Sequence, residues 1–89
     1  MSYRLDFTKQ ANNDIDFHKK SGNKVVLKKL HVLLEELTEE PFSGTGKPEA
    51  LKYGLSGFWS RRINHEHRLV YEVLENAVVI HSAKGHYEK

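Results

Sequence analysis

Phe58-Trp59-Ser60-Arg61-Arg62-Ile63-Asn64-His65-Glu66-His67-Arg68-Leu69-Val70-Tyr71-Glu72-Val73 decides the fold class. Its two halves, Phe58 to Ile63 and His67 to Val73, read as strands on either side of the polar turn Asn64-His65-Glu66. In the second half Leu69, Tyr71 and Val73 share one face, while Arg68, Val70 and Glu72 share the other. Downstream, Glu75-Asn76 turns the chain into Ala77 to Ala83, whose run of apolar residues loads both faces of a further strand. The result is a β-meander.

Upstream, Glu49 to Tyr53 reads as a short strand and Gly54 to Gly57 as a turn. Residues 41–48, Pro-Phe-Ser-Gly-Thr-Gly-Lys-Pro, form a loop holding both prolines of the chain. It lacks the spacing and the Lys-Ser/Thr ending of a phosphate-binding P-loop, which argues against nucleotide binding. Before the loop, Val26, Leu30, Leu33 and Leu37 recur at helical steps, with Asn23 as a fair N-cap and Pro41 as the stop. The charges on this helix run against its dipole: Lys24, Lys28 and Lys29 lie near the start, and Glu35, Glu36, Glu39 and Glu40 near the end. Such segregation is weakly destabilising, and suggests separate partners for the two ends. A merely solvated face is the plain alternative.

Thr8 can cap an earlier helix running through Ala11, Ile15 and His18 toward Ser21-Gly22, and Tyr3 to Phe7 alternates as a short strand. The order predicts an α+β fold over one domain, residues 1–89: an N-terminal strand and a two-helix hairpin packed on an antiparallel sheet. A chain of 89 residues buries only about 60–65% of its unfolded surface, so that core must be well patterned. With no cysteine, disulfides, thiolate metal sites and a cysteine nucleophile are excluded. The longest apolar run, Ala77 to Ile80, is far too short for a membrane helix, and Met1 to Asp6 lacks the apolar core of a signal peptide. A cytoplasmic location with no membrane partner is expected.

The net charge of +2 demands no polyanionic partner, but its distribution is uneven. Residues 1–40 carry seven basic and seven acidic residues, whereas residues 44–71 carry five basic against two acidic. Arg61, Arg62 and Arg68 are interleaved there with Phe58, Trp59 and Tyr71, and guanidinium groups fit phosphate well. Two readings stand: a nucleic-acid surface, or a solvated strand face over an aromatic core. His65-Glu66-His67 is better explained as a polar turn than as a metal site, having neither the helical H-E-x-x-H spacing nor cysteine partners. His86 near the terminus is either a proton shuttle or an idle tail residue.

The block G-K-P-E-A-L-K-Y-G-L-S-G-F-W-S-R-R-I-N-H-E-H-R-L-V-Y, Gly46 to Tyr71, closely resembles the YoeB/Txe branch of the RelE-type toxins of bacterial type II toxin–antitoxin systems. The likeness continues more weakly to His86-Tyr87, also covers the helix ending in Pro41-Phe42 and the Gly-x-Gly loop after it, and spans essentially the whole chain. The resemblance implies a RelE-like microbial RNase fold and a ribosome-dependent endoribonuclease that cuts mRNA in the decoding site of the 70S ribosome. It implies a YefM/Phd-type antitoxin as partner, operator DNA reached only through the antitoxin complex, and a homodimer as a further assembly. By motif position it implies Glu49, Arg68 and His86 as catalytic residues, with Lys52, Arg62 and Tyr87 in support.

The chemistry is coherent. Cleaving RNA through its own 2′-hydroxyl needs a base, the role the resemblance implies for Glu49, and an acid for the leaving 5′-oxygen, the role it implies for His86. It also needs cations for the phosphorane charge, the role implied for Arg68 with Lys52 and Arg62. No metal or other cofactor is required, because RNA brings its own nucleophile. Tyr87 would stack on a base or orient His86. Lys24, Lys28 and Lys29 are candidate contacts to ribosomal RNA. Each assignment has a plain rival: Glu49 paired with Lys47 or Lys52, and Arg68 paired with Glu72 or Glu49. Two departures from the family stand out. Gly85, in a tail that continues to Glu88-Lys89, is expected to loosen the segment presenting His86, and Ala50, where many relatives have proline, to make the strand carrying Glu49 less rigid. Two other functions compete: a non-catalytic ribosome- or RNA-binding inhibitor of translation, and a transcriptional co-repressor acting with its antitoxin.

Overall fold

Thr8 and Asn23 open the two helices as their side chains suggest. The Thr8 hydroxyl accepts from the Ala11 amide at 3.1 Å and the Asn23 amide oxygen from the Val26 amide at 3.2 Å, each satisfying an otherwise orphaned donor. The computed structural model describes residues 2–51 and 57–85. Over these the order is β1 (Arg4–Phe7), α1 (Lys9–Lys20), α2 (Lys24–Leu37), β2 (Glu49–Ala50), β3 (Phe58–Arg62), β4 (Arg68–Val73) and β5 (Ala77–Ser82). Helical hydrogen bonding continues past α2, with the Glu40 amide donating to the Glu36 carbonyl at 2.7 Å, until Pro41 ends it.

The strands form one sheet in the order β1-β5-β4-β3-β2. The meander β2 to β5 is antiparallel throughout, as expected from its short turns. β1 joins the same sheet at its far edge and pairs parallel to β5, Arg4 opposite Ala77 and Phe7 opposite Ile80, so the sheet is mixed. A parallel neighbour needs a long crossover, and the helix pair supplies part of it. The expected strand over 49–53 is regular only at Glu49–Ala50; the Leu51 amide still donates to the Phe58 carbonyl at 2.9 Å, and 52–56 lie outside the described residues.

Val26, Leu30, Leu33 and Leu37 bury the stripe of α2 against Leu69, Tyr71, Val78 and Ile80 of the sheet, with Ala11 of α1 completing the cluster. The alternation of β4 is therefore as read. β3 follows the same period: Trp59 faces Tyr71 and Arg61 faces Leu69 on the core side.

That phase corrects the grouping of three arginines on one surface, because Arg61 is completely buried. Its guanidinium meets Glu36 at 2.9 Å, the carbonyls of Ser43 at 2.7 Å and Thr45 at 3.3 Å, the Glu40 carbonyl, and the Tyr71 hydroxyl at 3.1 Å. Tyr71 in turn donates to the Pro41 carbonyl at 2.8 Å. One side chain thus ties the end of α2 and the following loop to the sheet. The Thr45 hydroxyl and amide also donate to Glu36, and these bonds, with Arg61 beside them, hold its carboxyl below the usual range despite partial burial. Burial pushes the Tyr71 phenol up, with Arg61 opposing. Of the four acidic residues near the end of α2, Glu36 thus has an internal partner for its carboxylate.

Candidate active site

The face of the sheet away from the helices carries the other half of the alternation. Glu49 on β2 registers with Ser60 on β3, and Arg62 on β3 registers with Arg68 on β4. Three strands therefore bring Glu49, Ser60, Arg62 and Arg68 together. Arg68 donates to the Ser60 hydroxyl at 3.3 Å and lies 3.8 Å from the Glu49 carboxylate. The Arg68 side chain is 21% exposed and that of Glu49 68%, so the cation is held low in the site and the carboxylate stands open to solvent. Glu49, Arg62 and Arg68 line a cleft of about 430 Å³ with Lys47 and Pro48, and Ser60 lies buried beneath Arg68.

This arrangement is unfavourable for folding alone. Arg62 and Arg68 sit directly opposite each other, and like charges at that register are destabilising. Lys47 adds a third cation at the rim and does so at a backbone cost. Its φ of 53° is the only positive value at a non-glycine position among the described residues, and such a conformation costs about 1–2 kcal/mol for a residue with a Cβ. Gly46 before it is required: a Cβ there would lie 2.8 Å from the Arg62 carbonyl oxygen. The Arg62 amide donates to the Gly46 carbonyl at 2.7 Å, fixing the loop to β3. Three cations about one carboxylate suit a phosphate diester whose charge must be held while a proton is removed nearby.

The segment leading into the C-terminal tail is held tightly. Ala83 is gripped on both sides by α1: Asp14 accepts from its amide at 2.9 Å and His18 Nε2 donates to its carbonyl at 2.8 Å. Two residues on, the Gly85 amide donates to His67 Nδ1 at 2.9 Å, and the Gly85 carbonyl accepts from the Arg68 amide at 2.9 Å. Gly85 has φ of 76°, a backbone that favours glycine. The expectation that Gly85 loosens the segment presenting His86 falls on residues outside the described ones, while Gly85 itself is held. It permits a turn whose backbone groups are both bonded, one of them to Arg68 itself.

Of the residues singled out by sequence, Glu49, Arg62 and Arg68 converge in the cleft. Lys52, His86 and Tyr87 lie outside the described residues. Lys24 and Lys28 are exposed on α2 away from these contacts, whereas Lys29 lines a hollow beside the cleft with Gly46, Lys47 and Arg62. Of the plain rivals, Arg68 paired with Glu49 is the contact that forms, in place of Glu49 with Lys47 or Arg68 with Glu72. Sequence reading missed Ser60, the strained Lys47, and the clamp of Asp14, His18 and His67. Asp14 and His18 are one helical turn apart and in phase with Ala11, a signal present in the sequence. His67 belongs less to the polar turn than to the packed interior, its ring meeting that of His18 edge-on with centroids 4.7 Å apart.

The family profile of the YoeB-like toxin of bacterial type II toxin–antitoxin systems matches residues 7–87. Toxin YoeB of Synechocystis sp. is 41% identical over 86 residues, covering 97% of this chain and 99% of the relative. A solved YoeB dimer from Staphylococcus aureus superposes with a TM-score of 0.86 at 42% identity, covering 98% of this chain and 100% of that one. A YoeB–YefM complex from the same species gives 0.82 at 43% identity, again covering 98% and 100%. No helix among the described residues is long and apolar enough to cross a membrane.

Proposed function

This chain belongs to the YoeB-like toxins of bacterial type II toxin–antitoxin systems, and from that premise we propose that it is a single-domain, ribosome-dependent endoribonuclease that cuts mRNA in the decoding site. The observation that carries the reading is the opposition of an open carboxylate, Glu49, and a partly buried guanidinium, Arg68, across a cleft rimmed by further cations.

In this mechanism Glu49 takes the proton of the ribose 2′-hydroxyl as that oxygen attacks the adjacent phosphorus. Arg68, oriented by Ser60 and supported by Arg62 and Lys52, stabilises the charge on the phosphorane oxygens. His86 gives a proton to the leaving 5′-oxygen, so the products are a 2′,3′-cyclic phosphate and a 5′-hydroxyl. Tyr87 stacks on a base or orients His86. The held backbone at Gly85, the residue preceding His86, supports a fixed presentation of that acid. So few groups act well only on a substrate positioned by something larger, which is the role assigned to the 70S ribosome. Lys24 and Lys28, exposed on the first turns of α2, are assigned to ribosomal RNA backbone. A YefM-type antitoxin is the proposed neutralising partner, with operator DNA reached through that complex, homodimerisation as a second assembly, and the cytoplasm as the place of action.

The test maps mRNA 5′ ends after purified protein is added to programmed ribosomes, with bare mRNA as control. A cut confined to the decoding-site codon is expected. Glu49→Gln should lower its rate about 10²–10⁴-fold and Arg68→Ala about 10²–10³-fold, with ribosome binding retained. Toxicity and ribosome binding that both survive Glu49→Gln, with no cut mRNA in the wild type, would replace the enzyme by an inhibitor acting through occupancy. No growth effect from the chain alone, with DNA binding only beside the antitoxin, would favour the co-repressor.

A further inference from the structure

Lys47 and Arg62 line two hollows at once. On one side lies the cleft of Glu49 and Arg68; on the other, a smaller hollow lined by Lys29, Gly46, Lys47, Arg62, Ile63 and Asn64. The second hollow holds three cations and no carboxylate among its lining residues. Lys29 reaches it from α2, Lys47 from the loop before β2, and Arg62 from the end of β3, so the charges converge from three separate elements.

The backbone at Lys47 says that this convergence is costly. A residue preceding proline favours extended backbone, yet Lys47 takes a φ of 53° before Pro48. Glycine would occupy the position with less strain. The Lys47 side chain is exposed, so burial does not repay the strain, and it forms no ion pair with a described carboxylate. Strain kept at an exposed cation beside a candidate site is the pattern expected where the side chain serves a ligand.

We propose that the hollow of Lys29, Lys47 and Arg62 is a second phosphate subsite, which holds the mRNA backbone phosphate neighbouring the scissile one. The inference rests on the nuclease reading. Continuity favours the substrate strand over ribosomal RNA as occupant, because a strand with one phosphate at Arg68 can leave the cleft over the ridge that Lys47 and Arg62 share. Lys29 then serves the substrate, in contrast to Lys24 and Lys28.

The experiment measures binding of a short single-stranded 2′-O-methyl RNA, which lacks the attacking hydroxyl, to purified protein across a salt series. Lys47→Gly and Lys29→Ala are compared with wild type, and each RNA is made with an ordinary or a neutral methylphosphonate linkage beside the central phosphate. Each variant should bind the ordinary RNA roughly 3–10-fold more weakly and lower the slope of log affinity against log salt by a part of about 0.7, the single-strand value for one whole phosphate contact. Against the neutral-linkage RNA both differences should vanish. Lys47→Gly should also melt no lower than wild type, since glycine relieves the backbone. Unchanged binding in both variants, or losses that persist undiminished against the neutral linkage, would overturn the subsite. Failure of the nuclease reading looks different: wild type would show the coupled binding yet leave mRNA on programmed ribosomes whole.

Discussion

Arg61 and Arg62 are neighbours on one strand with the same side chain, and they do opposite things. Arg61 points into the core, has no exposed surface, and is bonded to a carboxylate, three carbonyls and a phenol. Arg62 points to the open face, is exposed, and stands directly across from another arginine. The first arrangement satisfies every donor and knits a helix end to a sheet; the second adds repulsion to the fold and leaves charge available. In a strand the pleat sorts side chains by parity, so a local excess of basic residues is two populations with separate roles. Only the population whose charges are poorly compensated points to a ligand.

The sharpest way to break this comparison is to remove the charge at each position in turn. Arg61→Met should remove the shared donor of Glu36 and three carbonyls and destabilise the protein by about 3–5 kcal/mol, because each buried acceptor left unsatisfied costs about 1–3 kcal/mol. Against a typical domain stability of about 5–15 kcal/mol, that is enough to leave much of the protein unfolded on mild heating. Arg62→Met should shift stability by no more than about 0.5 kcal/mol and act on RNA cleavage instead. Urea unfolding of both variants, read beside cleavage on programmed ribosomes, checks the pair. Equal stability of the two would mean that the buried guanidinium is ornamental.

The C-terminal segment carries the same contrast with a smaller expected effect. Gly85 sits at φ of 76° with both backbone groups bonded, so Gly85→Ala should cost about 1–2 kcal/mol locally. If the clamp positions the tail for catalysis, cleavage should fall further than the unfolding midpoint suggests. A variant with wild-type cleavage and wild-type melting would show that the backbone bonds from His67 and Arg68 contribute nothing to presentation.

How far these regions were legible in the sequence follows from the range of the forces involved. The stripe Val26, Leu30, Leu33 and Leu37, the caps Thr8 and Asn23, and the alternation of Leu69, Tyr71 and Val73 are local periodicities, and each appears as read. The parallel pairing of β1 with β5 joins residues more than seventy positions apart, and nothing in Arg4 to Phe7 names its partner. Arg61 was legible in part, since it alternates with Trp59 and Ile63, yet a buried arginine is uncommon enough that its charge outweighed its phase. Glu49 and Arg68 were reached through a family likeness; their register and their 3.8 Å approach belong to the sheet. The strain at Lys47 was invisible because it is a backbone angle, and the phase of Asp14 and His18 with Ala11 marked the face of the clamp but not its long-range contacts to single peptide groups at Ala83.

The smallest expected effect tests the partner of the buried arginine. The Glu36 carboxyl is held down first by the Thr45 hydroxyl and then by the Thr45 amide and Arg61, so its folded pKa lies below the unfolded value of about 4.3. A depressed carboxyl contributes stability that is fully present above the unfolded pKa and is lost as pH falls through the folded one. The wild type should therefore lose stability on acidification from about pH 5 downward, and Glu36→Gln should show a flatter acid limb. Because the carboxylate is nearly a third exposed, solvent screens part of the interaction, and the difference between the two limbs should be on the order of 1 kcal/mol. Melting temperatures from pH 7 to pH 3 measure it. Parallel acid limbs would mean that Arg61 is held by its carbonyls and by Tyr71 without help from charge pairing, and Arg61 would then differ from Arg62 by enclosure alone.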